Sequence, residues 1–410
     1  MKRHAPFLPT LLLLSAVLPL AGRGQTLGLR DVIRHAEATH PRIHYAEAGA
    51  DATRARRLQA LSPESPTLSY SEEEIPGPGG IGDGMMRYYT ISQAFDIPLL
   101  IGARAWKYRH LERADALRLA RARRAARADA IVAYAEASVA FRKREILLLN
   151  QLRLDTLAEF ASKRTAAGQA SRLEELRFRA ERADAHVLHT RAEEASISAE
   201  RRLRVLMGNA ELSAGNLQHT DLEAVLAVGD PQMTGYPPPD PALDEARAAR
   251  SDASWRWLEY LPRFSASWFR QEAVGAGWFW GAEFSAQVPL WFILGERGRA
   301  EEAEAEARAA EAAATLAQRE WIDAHLAALG ELRASRNAAR TYADMVKTDA
   351  RDILRAVEVS FAAGRISYME MLDALRSAHS MELAYLDALL DFGRAVAEYE
   401  RTSGTTLIND

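Results

Sequence analysis

The sequence predicts a mainly α-helical chain with a small β part, built as two copies of one plan of short strands followed by a long coiled-coil helical hairpin. Three observations carry that fold class. No proline occurs between Pro98 and Pro231 or after Pro289, and both stretches are rich in Ala, Arg, Glu and Leu, which favour helix. The two halves share spaced motifs: Ala166-Ala167-Gly168-Gln169-Ala170-Ser171 matches Ala362-Ala363-Gly364-Arg365-Ile366-Ser367, and Pro66-Thr67-Leu68-Ser69 matches Pro262-Arg263-Phe264-Ser265. Period-two alternation marks the proline-rich regions, with Trp278, Trp280, Ala282, Phe284 and Ala286 set against Phe279, Gly281, Glu283, Ser285 and Gln287.

Taken in chain order, residues 1–24 read as an export signal. Lys2 and Arg3 precede the apolar stretch 7–20 and a small-residue cleavage pattern at Gly22-Arg23-Gly24. That stretch is shorter than the roughly 20 residues a membrane helix needs. The first repeat covers residues 25–208, opening with a short helix at 29–41 and strands near 66–75 and 86–97. Its hairpin, 99–208, begins with an unbroken helix to Ala166, roughly 100 Å long at 1.5 Å per residue. Such a length suits a coiled-coil assembly and exceeds what a globular core uses. Gly168 and Gly364 stand where left-handed helix caps belong. Ser171 and Ser367 follow as N-caps, with Glu174 and Glu370 three positions on. A linker, 209–240, leads to the second repeat, 241–410, with strands near 262–273 and 277–290 and a hairpin at 295–402. Leu372, Leu375, His379, Leu383, Leu386 and Leu390 form a three-four stripe on its returning helix.

Composition narrows the function classes. Cysteine is absent, so there is no disulfide, thiolate metal site or catalytic thiol, and a formal charge of -4 argues against nucleic acid as the main partner. Residues 104–127 carry nine Arg or Lys against two acids, spread around the helix as for a solvated or inter-helix face. Gly77-Pro78-Gly79-Gly80-Ile81-Gly82 fits a dinucleotide fingerprint in letters, but strand follows it where a helix is required, so it reads as a hairpin loop and implies no cofactor. His186 and His189 lie three apart without a third ligand in a zinc spacing. No nucleophile–base–orienter set is visible, which argues against an enzyme. Beyond the signal no helix-length apolar run exists, so membrane insertion requires a β-barrel. Four strands cannot close one alone.

With these elements in place, the sequence resembles the TolC-like outer-membrane efflux factors. The resemblance rests on the helix at 29–41, the strand end Ser92-Gln93-Ala94-Phe95-Asp96-Ile97-Pro98, the twin Gly-x-x-Ser tips, and above all residues 364–374, and it covers essentially the whole chain after the signal. Ser65-Pro66-Thr67-Leu68-Ser69-Tyr70 and the compact length look most like the heavy-metal cation-efflux branch. The resemblance implies an outer-membrane homotrimer whose four strands per chain make one twelve-stranded barrel above a long periplasmic α-barrel. It also implies a periplasmic adaptor, an inner-membrane pump of the resistance-nodulation-division type, and outer-membrane lipid as partners. The function implied is a passive conduit, exporting heavy-metal cations or, alternatively, drugs or secreted proteins. A periplasmic coiled-coil scaffold without a pore is the reading of another class, against which the alternating strands weigh. On this resemblance Glu370 and Asp373 would form a periplasmic gate, and Gly168, Ser171, Gly364, Arg365 and Ser367 would be adaptor-contact tips. Trp268, Trp278, Trp280 and Phe284 would face the membrane.

Overall fold

The computed structural model describes residues 27–77, 80–95, 98–168, 170–208, 217–218, 221–226, 238–273, 277–291, 295–362 and 365–408. The signal segment, Gly364 and most of the stretch read as a linker lie outside them. Helices α1 (Leu29–Thr39) and α2 (Pro41–Leu61) lead into strands β1 (Thr67–Gly77) and β2 (Gly80–Phe95). The first hairpin pairs α3 (Pro98–Ala166) with α4 (Arg172–Leu206). A short helix, α5 (Asp221–Leu226), falls inside the linker and buries Leu222 and Leu226 in the main core. The second copy repeats the order: α6 (Pro241–Arg256), a 3-10 turn (Trp257–Tyr260), β3 (Arg263–Ala273), β4 (Gly277–Gln287), α7 (Glu296–Met345), α8 (Arg351–Ala362) and α9 (Tyr368–Ser403).

Two departures from the expected plan are local. Strand β1 ends at Gly77 and β2 begins at Gly80, so the glycine-rich motif starts in one strand and finishes inside the next. The helix of the second hairpin is broken by a π-helical turn, Val346–Ala350, where the matching part of α3 runs through. Nothing in Val-Lys-Thr-Asp-Ala announces it, since the stretch has neither Pro nor Gly.

The helices pack side by side. In one half of its length α3 lies between α2 and α6, with α7 beyond α6; in the other it lies between α4 and α9, with α8 beyond α9. The largest core joins both repeats where α1, α3, α4, α5, α7 and α9 meet, around Tyr134, Leu203, Leu332, Leu389 and Phe392. Gly393 is needed there. An added Cβ would come within 2.9 Å of Ala135 Cβ, so α9 approaches α3 as closely as only glycine permits. Tyr134, fully buried, donates its hydroxyl to Gln218 O and to Asp221 Oδ2 at 3.3 Å. Burial, reinforced by Asp221, pushes that phenol's pKa well above its ordinary value. The basic stretch of α3 is largely an inter-helix face. Lys107 pairs with Asp252 at 2.9 Å, and buried Arg127 pairs with Glu400 at 2.7 Å and Glu37 at 3.4 Å.

The strands form one antiparallel sheet in the order β1-β2-β3-β4, leaving β1 and β4 as open edges. Residues paired across an antiparallel ladder share a face, so the register assigns every side chain. One face carries Leu68 and Tyr70, then Tyr89, Ile91 and Phe95, then Phe264, Ala266 and Trp268, then Trp278, Trp280, Ala282, Phe284 and Ala286. The other carries Ser69, Thr90, Ser92, Ser265, Ser267, Gln271, Glu283, Ser285 and Gln287, with Tyr88, Phe269 and Phe279 among them. The apolar face is bare, with Trp280 75% and Phe284 83% exposed.

Candidate functional site

Three parts of the chain converge on a function: the bare sheet face, the hairpin tips, and the contacts that tie one hairpin to the other. The four aromatics singled out from sequence, Trp268, Trp278, Trp280 and Phe284, all stand on the apolar sheet face. Strand β2 adds Tyr89, Ile91 and Phe95, which its own weaker alternation concealed until the register was known. Toward the turn end of the sheet an aromatic row forms, with Tyr70 and Tyr89 rings 5.0 Å apart and Tyr89 and Trp278 rings 5.9 Å apart. Charges begin beside it: Arg87 lies between Glu72 at 3.1 Å and Glu272 at 3.5 Å. Among the described residues no helix is long and apolar enough to cross a membrane, whereas this sheet face has the apolar band and aromatic border of a lipid-facing β surface.

At the first tip Gly168 takes φ +70°, a left-handed conformation that costs a residue with a Cβ. Ser171 and Glu174 form a complete capping box: the Ser171 N–H donates to Glu174 Oε2 at 3.0 Å, and the Glu174 N–H donates to Ser171 Oγ at 3.2 Å. The second tip repeats it with Ser367 and Glu370, at 2.7 Å and 3.3 Å. Exposed Arg365 donates its backbone N–H to Ser360 O at 2.8 Å. The duplicated tip is thus a matter of local hydrogen bonding.

Glu370 and Asp373 both stand exposed on the first turns of α9. The Ser367 backbone N–H, and then its side chain, hold the Glu370 carboxyl below the usual carboxylate range, so it is charged at neutral pH. Asp373 faces Arg376 at 3.5 Å. Arg376 in turn reaches across to α4, where its Nε donates to Glu181 Oε2 at 3.2 Å and its Nη2 to Glu181 Oε1. A second tie lies nearer the tip: Arg164 Nη1 donates to Tyr368 Oη at 2.8 Å. The Tyr368 ring, 8% exposed, packs edge-on against Phe178 with centroids 5.4 Å apart. The two hairpins are therefore fastened to each other just above the tips. These ties join residues nearly two hundred positions apart or more, and no motif pointed to them.

His379 of the stripe is buried, and His186 faces Gln151 at 3.3 Å. Among the described residues no group of three His, Asp or Glu side chains is placed to hold a metal ion.

No protein-family model matches the sequence, and no curated protein matches it. Solved structures do match. The outer-membrane channel OprN is 18% identical with a TM-score of 0.74, over 92% of this chain and 90% of that one. CusC, described for transmembrane channel formation, is 13% identical with a TM-score of 0.72 over 94% of each chain. The open state of the Neisseria gonorrhoeae MtrE outer membrane channel is 17% identical with a TM-score of 0.72, over 94% and 93%. Helical hairpins, four-stranded sheet and overall layout are thus shared nearly end to end, and the chain has the fold of these outer-membrane channels.

Proposed function

We propose that this protein is the outer-membrane channel of a tripartite export system, a homotrimer that serves as a passive conduit and catalyses no reaction. The observation that carries the reading is the four-stranded sheet, bare and apolar on one face, polar on the other, and open at both edges. Lipid does not tolerate unpaired strand edges. Joining β4 of one copy to β1 of the next closes a twelve-stranded barrel whose polar face lines the lumen. The roughly 100 Å helices then extend the lumen through the periplasm, toward an adaptor at the tips and a pump of the resistance-nodulation-division type beyond it. Gly168, Ser171, Gly364, Arg365 and Ser367 form the adaptor-contact tips in this reading.

Glu370 and Asp373 are the proposed gate. Three copies bring six carboxylates to the narrow end, a cation-attracting ring. The Arg376–Glu181 and Arg164–Tyr368 contacts hold the second hairpin against the first and so keep that end shut. Heavy-metal cations are the proposed cargo, supported by the sequence likeness at residues 65–70 and by this acidic opening.

The decisive experiment is assembly and conductance of the purified protein. A trimer in mild detergent that migrates differently after heating and conducts in planar bilayers is expected. A monomer that stays silent even when the tip contacts are removed would overturn the reading. Changing both Glu370 and Asp373 to Ala should abolish block by divalent cations added on the tip side; a double variant as sensitive as the parent would place the gate elsewhere. Metal cargo is tested by deletion, which should raise sensitivity to divalent metal salts more than to drugs.

A further inference from the structure

We propose that Arg270, seated against Trp278 at the turn end of the apolar sheet face, binds the phosphate of an anionic lipid headgroup; this rests on the barrel reading above. The register puts Arg270 on that face, opposite Tyr89 on one side and Trp280 on the other. All rows below it, toward Phe95 and Phe264, are apolar apart from Gln93. The turn end lies away from the end where the long helices leave the sheet, so it belongs to the outer leaflet. An exposed cation at the upper limit of an apolar band sits where hydrocarbon gives way to headgroups.

The two cations of this rim differ. Arg87 is neutralised between Glu72 and Glu272. Arg270 has no carboxylate at ion-pair distance among the described residues, and residues 274–276, Val-Gly-Ala, include none. Its guanidinium lies 4.5 Å from the centroid of Trp278, which is itself fixed by the Tyr70–Tyr89–Trp278 row. Stacking on the ring positions the planar fork while leaving its N–H edges available, the geometry that suits two phosphate oxygens at once. Exposed Trp280, on the adjoining strand, offers an amphipathic ring at the same level. The occupant is therefore a phosphorylated lipid of the outer leaflet.

The test uses the full assembled protein in mild detergent, with diphosphorylated lipid A as the probe and a phosphate-free galactosyl glycolipid as control, read by native mass spectrometry. The parent should retain lipid A in preference to the control, and millimolar inorganic phosphate should compete. Arg270→Gln should weaken retention roughly tenfold, and Arg270→Lys, which keeps the charge but loses the fork, should fall between. Both variants should assemble and conduct like the parent, because Arg270 faces away from the lumen. Equal retention by Arg270→Gln, no preference over the glycolipid, or no retention by the parent would overturn the proposal. A protein that neither assembles nor conducts would instead overturn the channel reading.

Discussion

Releasing the ties between the hairpins should open the channel, and the structure gives the size of the effect. The double variant Tyr368→Phe, Arg376→Glu removes the hydroxyl hydrogen bond and the ion pair to Glu181, and sets a new carboxylate against Glu181 and Asp373. Phenylalanine keeps the ring packed on Phe178 and Phe160 and deletes only the hydroxyl that accepts from Arg164. Arg376 is largely exposed, so its bidentate contact with Glu181 is screened by water and contributes about 1 kcal/mol at most. The hydroxyl contact contributes about another 1 kcal/mol. Together that is about 2 kcal/mol per chain. If three chains open together the sum is about 6 kcal/mol, close to four powers of ten in the ratio of open to closed states. Single-channel recording in planar bilayers reads this directly: the parent should dwell in a low-conductance state and the variant in a high one. Adding Glu181→Arg, which re-forms the ion pair with its charges exchanged, should restore part of the closed population. A variant indistinguishable from the parent in conductance and dwell times would show that these contacts do not hold the opening shut.

Three further outcomes follow from the tips and the core. Gly168→Val forces a β-branched residue to φ +70°, at a cost of roughly 1–2 kcal/mol, and should abolish export while trimer assembly in detergent stays normal; unimpaired export would remove the first tip from the docking surface. Arg127→Met leaves Glu400 buried, with the Leu407 and Ile408 N–H groups as its remaining donors among the described residues, and should destabilise the helical part by about 3–5 kcal/mol in denaturant titration. A loss under about 1 kcal/mol would mean that Glu400 finds another partner. The lowered pKa of Glu370 means that its contribution to the cap is fully present above the ordinary carboxylate value and is lost as pH falls through the lower folded value. Amide exchange at residues 368–371 should therefore speed up in acid, beyond its intrinsic pH dependence, in the parent but not in Glu370→Gln.

What the sequence disclosed and what it hid divide along one physical line. Helix ends are governed by residues within three or four positions of each other, so the Ser171–Glu174 and Ser367–Glu370 capping boxes and the left-handed Gly168 were readable as local chemistry. Strands β3 and β4 were readable because alternation within each already separates Trp268, Trp278, Trp280 and Phe284 from their polar neighbours. Strand β2 was read at 86–97, but its apolar face was not, since Tyr89, Ile91 and Phe95 join that face only once pairing to both neighbouring strands is known. The same limit hid Arg376–Glu181, Arg164–Tyr368 and the buried Arg127–Glu400 pair, each joining segments roughly 200 or more positions apart. The hidden contacts share a consequence. Because the repeats match locally, each could form its hairpin alone, and the contacts that distinguish the two lie between them. The π-turn at Val346–Ala350 interrupts only the second hairpin, and the hydroxyl of Tyr368, which accepts from Arg164 of the first, belongs to the second alone. The first repeat has Arg172 at the matching place. A duplicated chain with equivalent hairpins would close and open both alike; on the gate proposed above, this asymmetry makes the second hairpin the movable part and the first its support.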